Sequence, residues 1–356
     1  MSVSAYQSGA VLAPADVTFV TGELRPYLAD LLAGEQAAWQ EHDAPWWDPP
    51  ETLAGYLDGG KALRPRFCYW GHAIAGEGTD PLLLQASAAL ELLHAFALIH
   101  DDLMDDSDTR RGRPALHREF SWQHRRQGWA GNPDSYGRAV AMLTGDLAFA
   151  VASRLASALP APALSVWRRM VDELVLGQFL DLAGAARRDR SVEVARATTL
   201  LKSGRYTVTG PLSLGAALAG LPELPPDLSR YGDLVGEAFQ LSDDLLGVFG
   251  DPQRTGKPAG EDLASGKPTQ LLAYAADMLP PRGQALLARA GTPVFSRADV
   301  AELTAELIEC GARAHVERQV RRNVEAACAL VGRAALPPRV TAALQGLALA
   351  ATDRQQ

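Results

Sequence analysis

The chain is 356 residues long, 47% hydrophobic and 21% charged, the profile of a soluble globular protein that buries a sizeable core. Its formal net charge of −8 argues against nucleic acid as the main partner. Alanine and leucine dominate, and isoleucine occurs only at positions 74, 99 and 308, a balance that favours helices over sheet.

Residues 1–15 read as a flexible N-terminus, and no basic-then-apolar leader opens the chain. Beyond them apolar residues recur at three- and four-residue spacing almost throughout, which predicts roughly ten helices. Proline and glycine clusters at 43–50, 76–81, 128–134, 160–162, 221–226, 251–260 and 280–283 separate them. Gly59-Gly60-Lys61-Ala62-Leu63-Arg64-Pro65 comes first among the informative segments. Two glycines let a backbone approach a ligand closely, and Lys61 and Arg64, three apart, share a helix face and can hold a phosphate.

A long helix is expected over 82–107. It carries His94, Phe96 and Ala97, and ends in Asp101-Asp102-Leu103-Met104-Asp105-Asp106, with Asp108 just beyond. Aspartates are poor residues for the middle of a helix, so something must compensate for so many. Asp101 and Asp105, at i and i+4, share a face, and two carboxylates beside an apolar wall repel each other and resist desolvation. A divalent cation removes both objections. A hard, oxygen-only ligand set favours magnesium, which typically bridges carboxylates to phosphate oxygens. The basic, glycine-bearing stretch Asp108-Thr109-Arg110-Arg111-Gly112-Arg113-Pro114 follows at once.

Further helices are expected over 135–158 and 163–186, the second carrying Gly177-Gln178-Phe179-Leu180-Asp181. Leu201-Lys202-Ser203-Gly204 places a lysine in another apolar helix. The longest uncharged run, Tyr206 to Leu221, is broken by Gly210, Pro211, Gly215 and Gly220, so no stable membrane insertion is expected. Phe239-Gln240-Leu241 then leads into Asp243-Asp244-Leu245-Leu246-Gly247, a second acidic helix end. It too is followed by a basic loop, with Lys257 and then Lys267. Magnesium on carboxylates, with cations from a closing loop, could grip one polyanion from two sides. A last long helix is expected over 297–332. Cys68, Cys310 and Cys328 have no metal-ligand spacing and read as buried free thiols, which implies a reducing, cytoplasmic setting. The pattern as a whole predicts one all-α domain over 16–352, a bundle of long helices.

These motifs resemble the all-trans isoprenyl diphosphate synthases of the polyprenyl synthetase family. The resemblance rests on Gly-Gly-Lys-x-x-Arg-Pro at 59–65, Asp-Asp-x-x-Asp-x-x-x-x-Arg-Arg-Gly at 101–112, Gly-Gln-x-x-Asp at 177–181 and Lys-Ser at 202–203. Phe-Gln-x-x-Asp-Asp at 239–244 and the lysine-bearing segment at 255–267 complete it. It implies an all-α bundle around a deep central cavity, usually a homodimer, with magnesium as cofactor. By that resemblance Asp101, Asp105 and Asp243 bind a trinuclear magnesium cluster on an allylic diphosphate, with Asp102 and Asp244 in support. Arg110, Lys202, Ser203, Gln240, Lys257 and Lys267 complete that site, and Lys61, Arg64, His94 and Arg111 hold isopentenyl diphosphate without metal.

Three departures stand out: Gly247 where many members carry a third aspartate, Ala62 where a basic residue is common, and Ser203 in place of threonine. Phe96, five residues before Asp101, lies about 7 Å deeper along the helix at the usual rise. With small Ala97 beside it, this resembles the pattern of synthases that stop at C20. The expected reaction is head-to-tail condensation of isopentenyl diphosphate with C5, C10 and C15 allylic diphosphates, ending at geranylgeranyl diphosphate. Farnesyl and longer-chain products of the same family are the alternatives. A class I terpene cyclase is disfavoured because its second metal motif is absent at 243–251. An inactive partner subunit is disfavoured because both aspartate clusters are intact.

Overall fold

The computed structural model describes residues 14–41, 47–57, 59–76, 80–250 and 260–353. Seventeen α-helices, two π-helical segments (Val20–Leu24 and Thr199–Thr209) and one two-stranded hairpin make up the regular structure among them. The first half runs α1 (Ala15–Phe19), α2 (Arg25–Gln40), α3 (Pro49–Leu57), α4 (Leu63–Ala73) and α5 (Pro81–Met104). The hairpin β1 (Thr109–Arg110) and β2 (Arg113–Pro114) follows, then α6 (Leu116–Gln127), α7 (Pro133–Ser157) and α8 (Ala161–Arg187). The second half runs α9 (Val192–Thr198), α10 (Gly210–Leu218), α11 (Pro226–Phe249), α12 (Glu261–Ser265), α13 (Gln270–Met278), α14 (Pro281–Leu287), α15 (Arg297–Glu309), α16 (Ala312–Arg333) and α17 (Pro338–Thr352). The all-helical expectation holds.

Local chemistry explains the boundaries. Asp80 accepts from the Leu82 amide ahead of α5, and Asn132 accepts from the Asp134 and Ser135 amides ahead of α7. Each is followed by proline at the first helical position, where a missing N–H costs nothing. The expected helix over 297–332 is in fact two, α15 and α16. Gly311 takes φ 84°, a left-handed conformation that ends one helix and starts the next. Between α9 and α10 the chain winds as a π-helix over Thr199–Thr209, a form most often found at functional sites.

Helix α5 is the central rod. Leu83, Leu90, Leu92 and Leu93 are fully buried on it and belong to one core cluster with Met170 and Leu174 of α8 and Tyr206 of the π segment, while Ile99, also fully buried, joins a second cluster with Leu116 and Phe120 of α6. Helices α5 and α7 are apolar and long enough to cross a membrane, yet 61% of the most apolar α5 window is buried inside the bundle, so the protein's own core accounts for its composition.

Candidate active site

The aspartates of the first cluster stand where α5 ends and the hairpin begins. Asp105 caps the helix with its amide on the Asp101 carbonyl. The basic stretch after it folds back as the hairpin, with Arg111 (φ 51°) and Gly112 (φ 73°) in the left-handed region that a tight two-residue turn demands. The fold-back points Arg110 at Asp102. Its Nε lies 3.0 and 3.1 Å from the two carboxylate oxygens, and one Nη closes the fork. Asp102, 1% exposed, is thereby neutralised inside the protein.

Asp101 and Asp105 were expected to have metal as their only counter-charge. The structure corrects this, because lysines distant in sequence reach both. Lys202 Nζ donates to Asp101 Oδ1 at 2.8 Å and also to Asp181 Oδ2, and Gln178 Nε2 donates to Asp101 at 3.2 Å. Lys267 Nζ donates to Asp105 Oδ2 at 2.9 Å. Burial opposes the charge on Asp101, but Lys202, with Lys267 and Arg110 behind it, outweighs burial and holds the carboxyl well below the usual carboxylate range. Gly177 explains how Lys202 gets there. A Cβ at 177 would lie 2.2 Å from the Lys202 backbone nitrogen, so only glycine lets α8 and the π segment touch.

The second cluster sits near the C-terminal end of α11. Asp243 is partly buried there, and Asp244 is 3% exposed. Gln240 Nε2 donates to Asp244 Oδ1 at 2.9 Å, while Oδ2 is buried without a partner. Burial, reinforced by the charges of Asp262 and Asp243, pushes the Asp244 carboxyl up to about 7. Gly247 has a steric reason to lack a side chain: its Cβ would sit 1.9 Å from the Asp262 Oδ2 of α12. A carboxylate from elsewhere in the chain, that of Asp262, therefore lies against the Gly247 position. The clusters meet at Lys267, whose charge interacts with Asp101 and Asp105 of the first and with Asp244 and Asp262 beside the second. Ser203 is partly buried on the same π segment as Lys202. Lys257 lies outside the described residues.

Of the remaining candidates, Arg64, Arg111 and His94 lie within one another's field as a second group. Arg64, 8% exposed at the start of α4, donates from Nη2 to Thr207 Oγ1 at 2.9 Å and stacks 4.0 Å above the Tyr206 ring. His94 Nδ1 is 2.8 Å from the Tyr206 hydroxyl. Burial, with Arg64, Arg111 and Arg110 nearby, lowers His94 well below its ordinary value, so it is neutral at neutral pH. Arg111 donates to the Tyr56 carbonyl at 3.2 Å, and its guanidinium lies 3.2 Å from where a Gly60 Cβ would be. Lys61 reaches further than expected. Its Nζ donates to the Ala350 and Asp353 carbonyls at the end of α17. Phe96 packs on Phe149 of α7 at 5.0 Å between ring centroids and on His100 at 4.5 Å, and Ala97 is partly buried beside it.

Sequence reasoning gave no role to Tyr206, Glu91, Asp181 or Asp262. The Gly-Gln-x-x-Asp spacing was the one signal for Asp181; Glu91 and Tyr206 occur in stretches that read as ordinary helix, and Asp262 in the basic loop between Lys257 and Lys267.

Among the described residues no group of three carboxylate, imidazole or thiol side chains closes on one point as a preformed metal cage. That suits magnesium, which is usually held by one or two carboxylates together with substrate phosphates and water. The unpartnered Asp244 Oδ2 and the lysine-paired Asp101 and Asp105 fit such a shared site, because each oxygen there already demands positive charge. Magnesium, when bound, would neutralise the charge that develops on a departing diphosphate.

An all-α bundle with two converging acidic helix ends, lysines among them and a second cationic group nearby defines a class of diphosphate-handling transferases. The polyprenyl synthetase family profile matches residues 51–307, and the chain belongs to that family. It is 34% identical over 307 residues to the (2E,6E)-farnesyl diphosphate synthase of Mycobacterium tuberculosis, covering 83% of this chain and 80% of that one. It is 31% identical over 310 residues to the geranylgeranyl diphosphate synthase of the same organism, covering 84% and 82%. Among solved structures, a geranylgeranyl pyrophosphate synthase of Corynebacterium glutamicum, complexed with isoprenyl diphosphate and magnesium, superposes with a TM-score of 0.87. It shares 36% identity and covers 95% of this chain and 99% of that one. The protein is a prenyltransferase of the prenyl diphosphate synthase class.

Proposed function

We propose that the protein is a geranylgeranyl diphosphate synthase. It condenses isopentenyl diphosphate with C5, C10 and C15 allylic diphosphates, and the growing chain stops at C20. The observation that carries the two-substrate part is the presence of two distinct anion-binding groups. Lys202, Lys267 and Arg110 stand among the carboxylates, while Arg64, His94 and Arg111 form a set without aspartate. In this reading the first set, with Ser203, Gln240 and Lys257, takes the allylic diphosphate; Asp101, Asp105 and Asp243, supported by Asp102 and Asp244, would hold magnesium, three ions by the family resemblance, which would supply positive charge to that diphosphate. The second set, joined by Lys61, takes isopentenyl diphosphate. Lys202 and Arg110 stabilise the leaving diphosphate, and the apolar walls of α5 and α8 exclude water from the allylic cation. The homoallylic double bond attacks, and the departing diphosphate takes the proton, so no protein nucleophile is needed.

The C20 limit rests on Phe96 with Ala97 beside it, and the contact with Phe149 supports a closed floor at that depth. Similarity to a farnesyl diphosphate synthase keeps a C15 product as the second reading. We read residues 16–352 as one catalytic domain that works in the cytoplasm as a homodimer. The dimer is supported by Val175, Leu176, Phe179 and Leu182 of α8 and Met142 and Leu143 of α7, large apolar side chains between 43% and 63% exposed. The deciding assay incubates purified protein with magnesium, labelled isopentenyl diphosphate and each primer in turn, then sizes the dephosphorylated alcohols. The C20 alcohol as end product is expected; an end at C15 would establish the farnesyl reading instead.

A further inference from the structure

Among the described residues, the site so far leaves unused one carboxylate, Glu91, that carries a buried oxygen without a partner. Glu91 stands on α5 one turn before His94, on the same helix face. Its Oε1 is fully buried with no hydrogen-bond partner. An acidic side chain on the core rod is costly unless paired. The positive charges acting on it are, in order, Arg64, Arg111 and Arg25, and they act against burial, which raises its titration above the ordinary carboxylate value. Arg64 shows the complementary defect. Thr207 engages its Nη2 and the Tyr206 ring supports its plane, yet its Nε is also buried without a partner. An orphaned donor and an orphaned acceptor thus lie within each other's field, beside the residues assigned to isopentenyl diphosphate. Tyr206 ties the group together, since its ring carries Arg64 and its hydroxyl holds His94.

We propose that Glu91 is a positioning residue for the homoallylic diphosphate. It engages Arg64 from behind, through Nε, once the anion is bound, so that Arg64 and His94 hold the anion together on Tyr206. The inference rests on the two-site reading above. When an incoming diphosphate draws the guanidinium forward, a small rotation about the Tyr206 face matches Nε to Oε1. The two unmet groups, each expensive to leave buried and unmatched, are satisfied only in the occupied site. Glu91 itself touches no substrate.

The test uses the full chain with magnesium, an allylic primer and isopentenyl diphosphate. Glu91→Gln keeps the shape and removes the charge. It should raise the KM for isopentenyl diphosphate by roughly tenfold or more, the size expected for losing a charge-assisted bond, while the allylic KM and kcat change by less than about twofold on that scale. Glu91→Asp, which withdraws the carboxylate by one methylene, should give a smaller rise of the same selectivity, and serves alone if the glutamine variant fails to fold. Thermal unfolding controls for a structural role. Arg64→Ala separates the two ideas. If it raises the isopentenyl KM selectively while both Glu91 variants leave that constant unchanged, the positioning role is overturned and the two-site reading stands. If Arg64→Ala raises both substrate constants equally, the two-site reading falls. Equal effects of the Glu91 variants on both substrates, or on kcat alone, would also overturn the positioning role.

Discussion

Asp101 and Lys202 carry the sharpest expectations at the level of single side chains. Asp101→Ala or Asp243→Ala should lower turnover by two or more orders of magnitude, equivalent to about 3 kcal/mol of lost barrier stabilisation; steady-state kinetics at saturating magnesium reads this directly. Lys202→Met should act on stability as well as rate. Lys202 lies between Asp101 and Asp181, and its loss leaves two partly buried carboxylates facing each other. Stability in chelator should fall by roughly 3 kcal/mol, and inorganic diphosphate with magnesium should restore part of it. An unchanged melting temperature in chelator would show that the bridge contributes nothing to the fold. Phe96→Ala should lengthen the product beyond C20, and Ala97→Phe should shorten it towards C15, as read by chromatography of the alcohols. The residue types at these positions were readable from the chain alone, because aspartates on an apolar helix need an explanation. Their partners were not. Lys202 and Lys267 come from 101 and 162 residues away, and no local pattern announces a pairing made by tertiary packing.

Helix boundaries were legible where caps and prolines mark them. The expected helices over 82–107, 135–158 and 163–186 correspond to Pro81–Met104, Pro133–Ser157 and Ala161–Arg187. Two features escaped. Gly311 lies inside the expected 297–332 helix, yet its positive φ splits α15 from α16, and nothing in the apolar pattern of Thr199–Thr209 marks a π-helix rather than an α-helix. That segment gives a prediction for α8. Gly177→Ala puts a methyl 2.2 Å from backbone nitrogen, which a flexible side chain could yield to but a backbone cannot. We expect a loss of roughly 2 kcal/mol or more by thermal unfolding, together with lower turnover as Lys202 shifts. Helix α11 offers a pH signature. The Asp244 carboxyl is raised to about 7, so between the ordinary carboxylate value and about 7 the native chain keeps a proton that the unfolded chain has released. Stability therefore falls as pH rises through that window and levels off above it. Asp244→Asn removes the effect, so in chelator the variant's melting temperature should gain on the wild type between pH 5 and pH 8. A constant difference across that range would show that Asp244 titrates normally.

For the molecule as a whole, α7 and α8 carry six exposed large apolar side chains, Met142, Leu143, Val175, Leu176, Phe179 and Leu182. Phe179→Glu, at a residue 63% exposed, should convert a dimer to monomers in sedimentation velocity while leaving the helical circular dichroism intact. A monomeric wild type would remove the dimer from the reading. The lysines that occupy the acidic clefts bear on the order of events. Asp101 and Asp105 do not wait bare for ions; each is already engaged by an internal ammonium. If Asp101 and Asp105 hold magnesium as proposed, loading the site would be an ion exchange, with Lys202 and Lys267 giving up their carboxylates to the incoming cation. The displaced ammonium needs somewhere to go, and the incoming diphosphate is the natural acceptor. Neither newcomer should bind well without the other. Magnesium titrated alone should give little heat, and inorganic diphosphate should sharpen its isotherm. In the absence of substrate the cleft then acts as a latch against stray divalent ions.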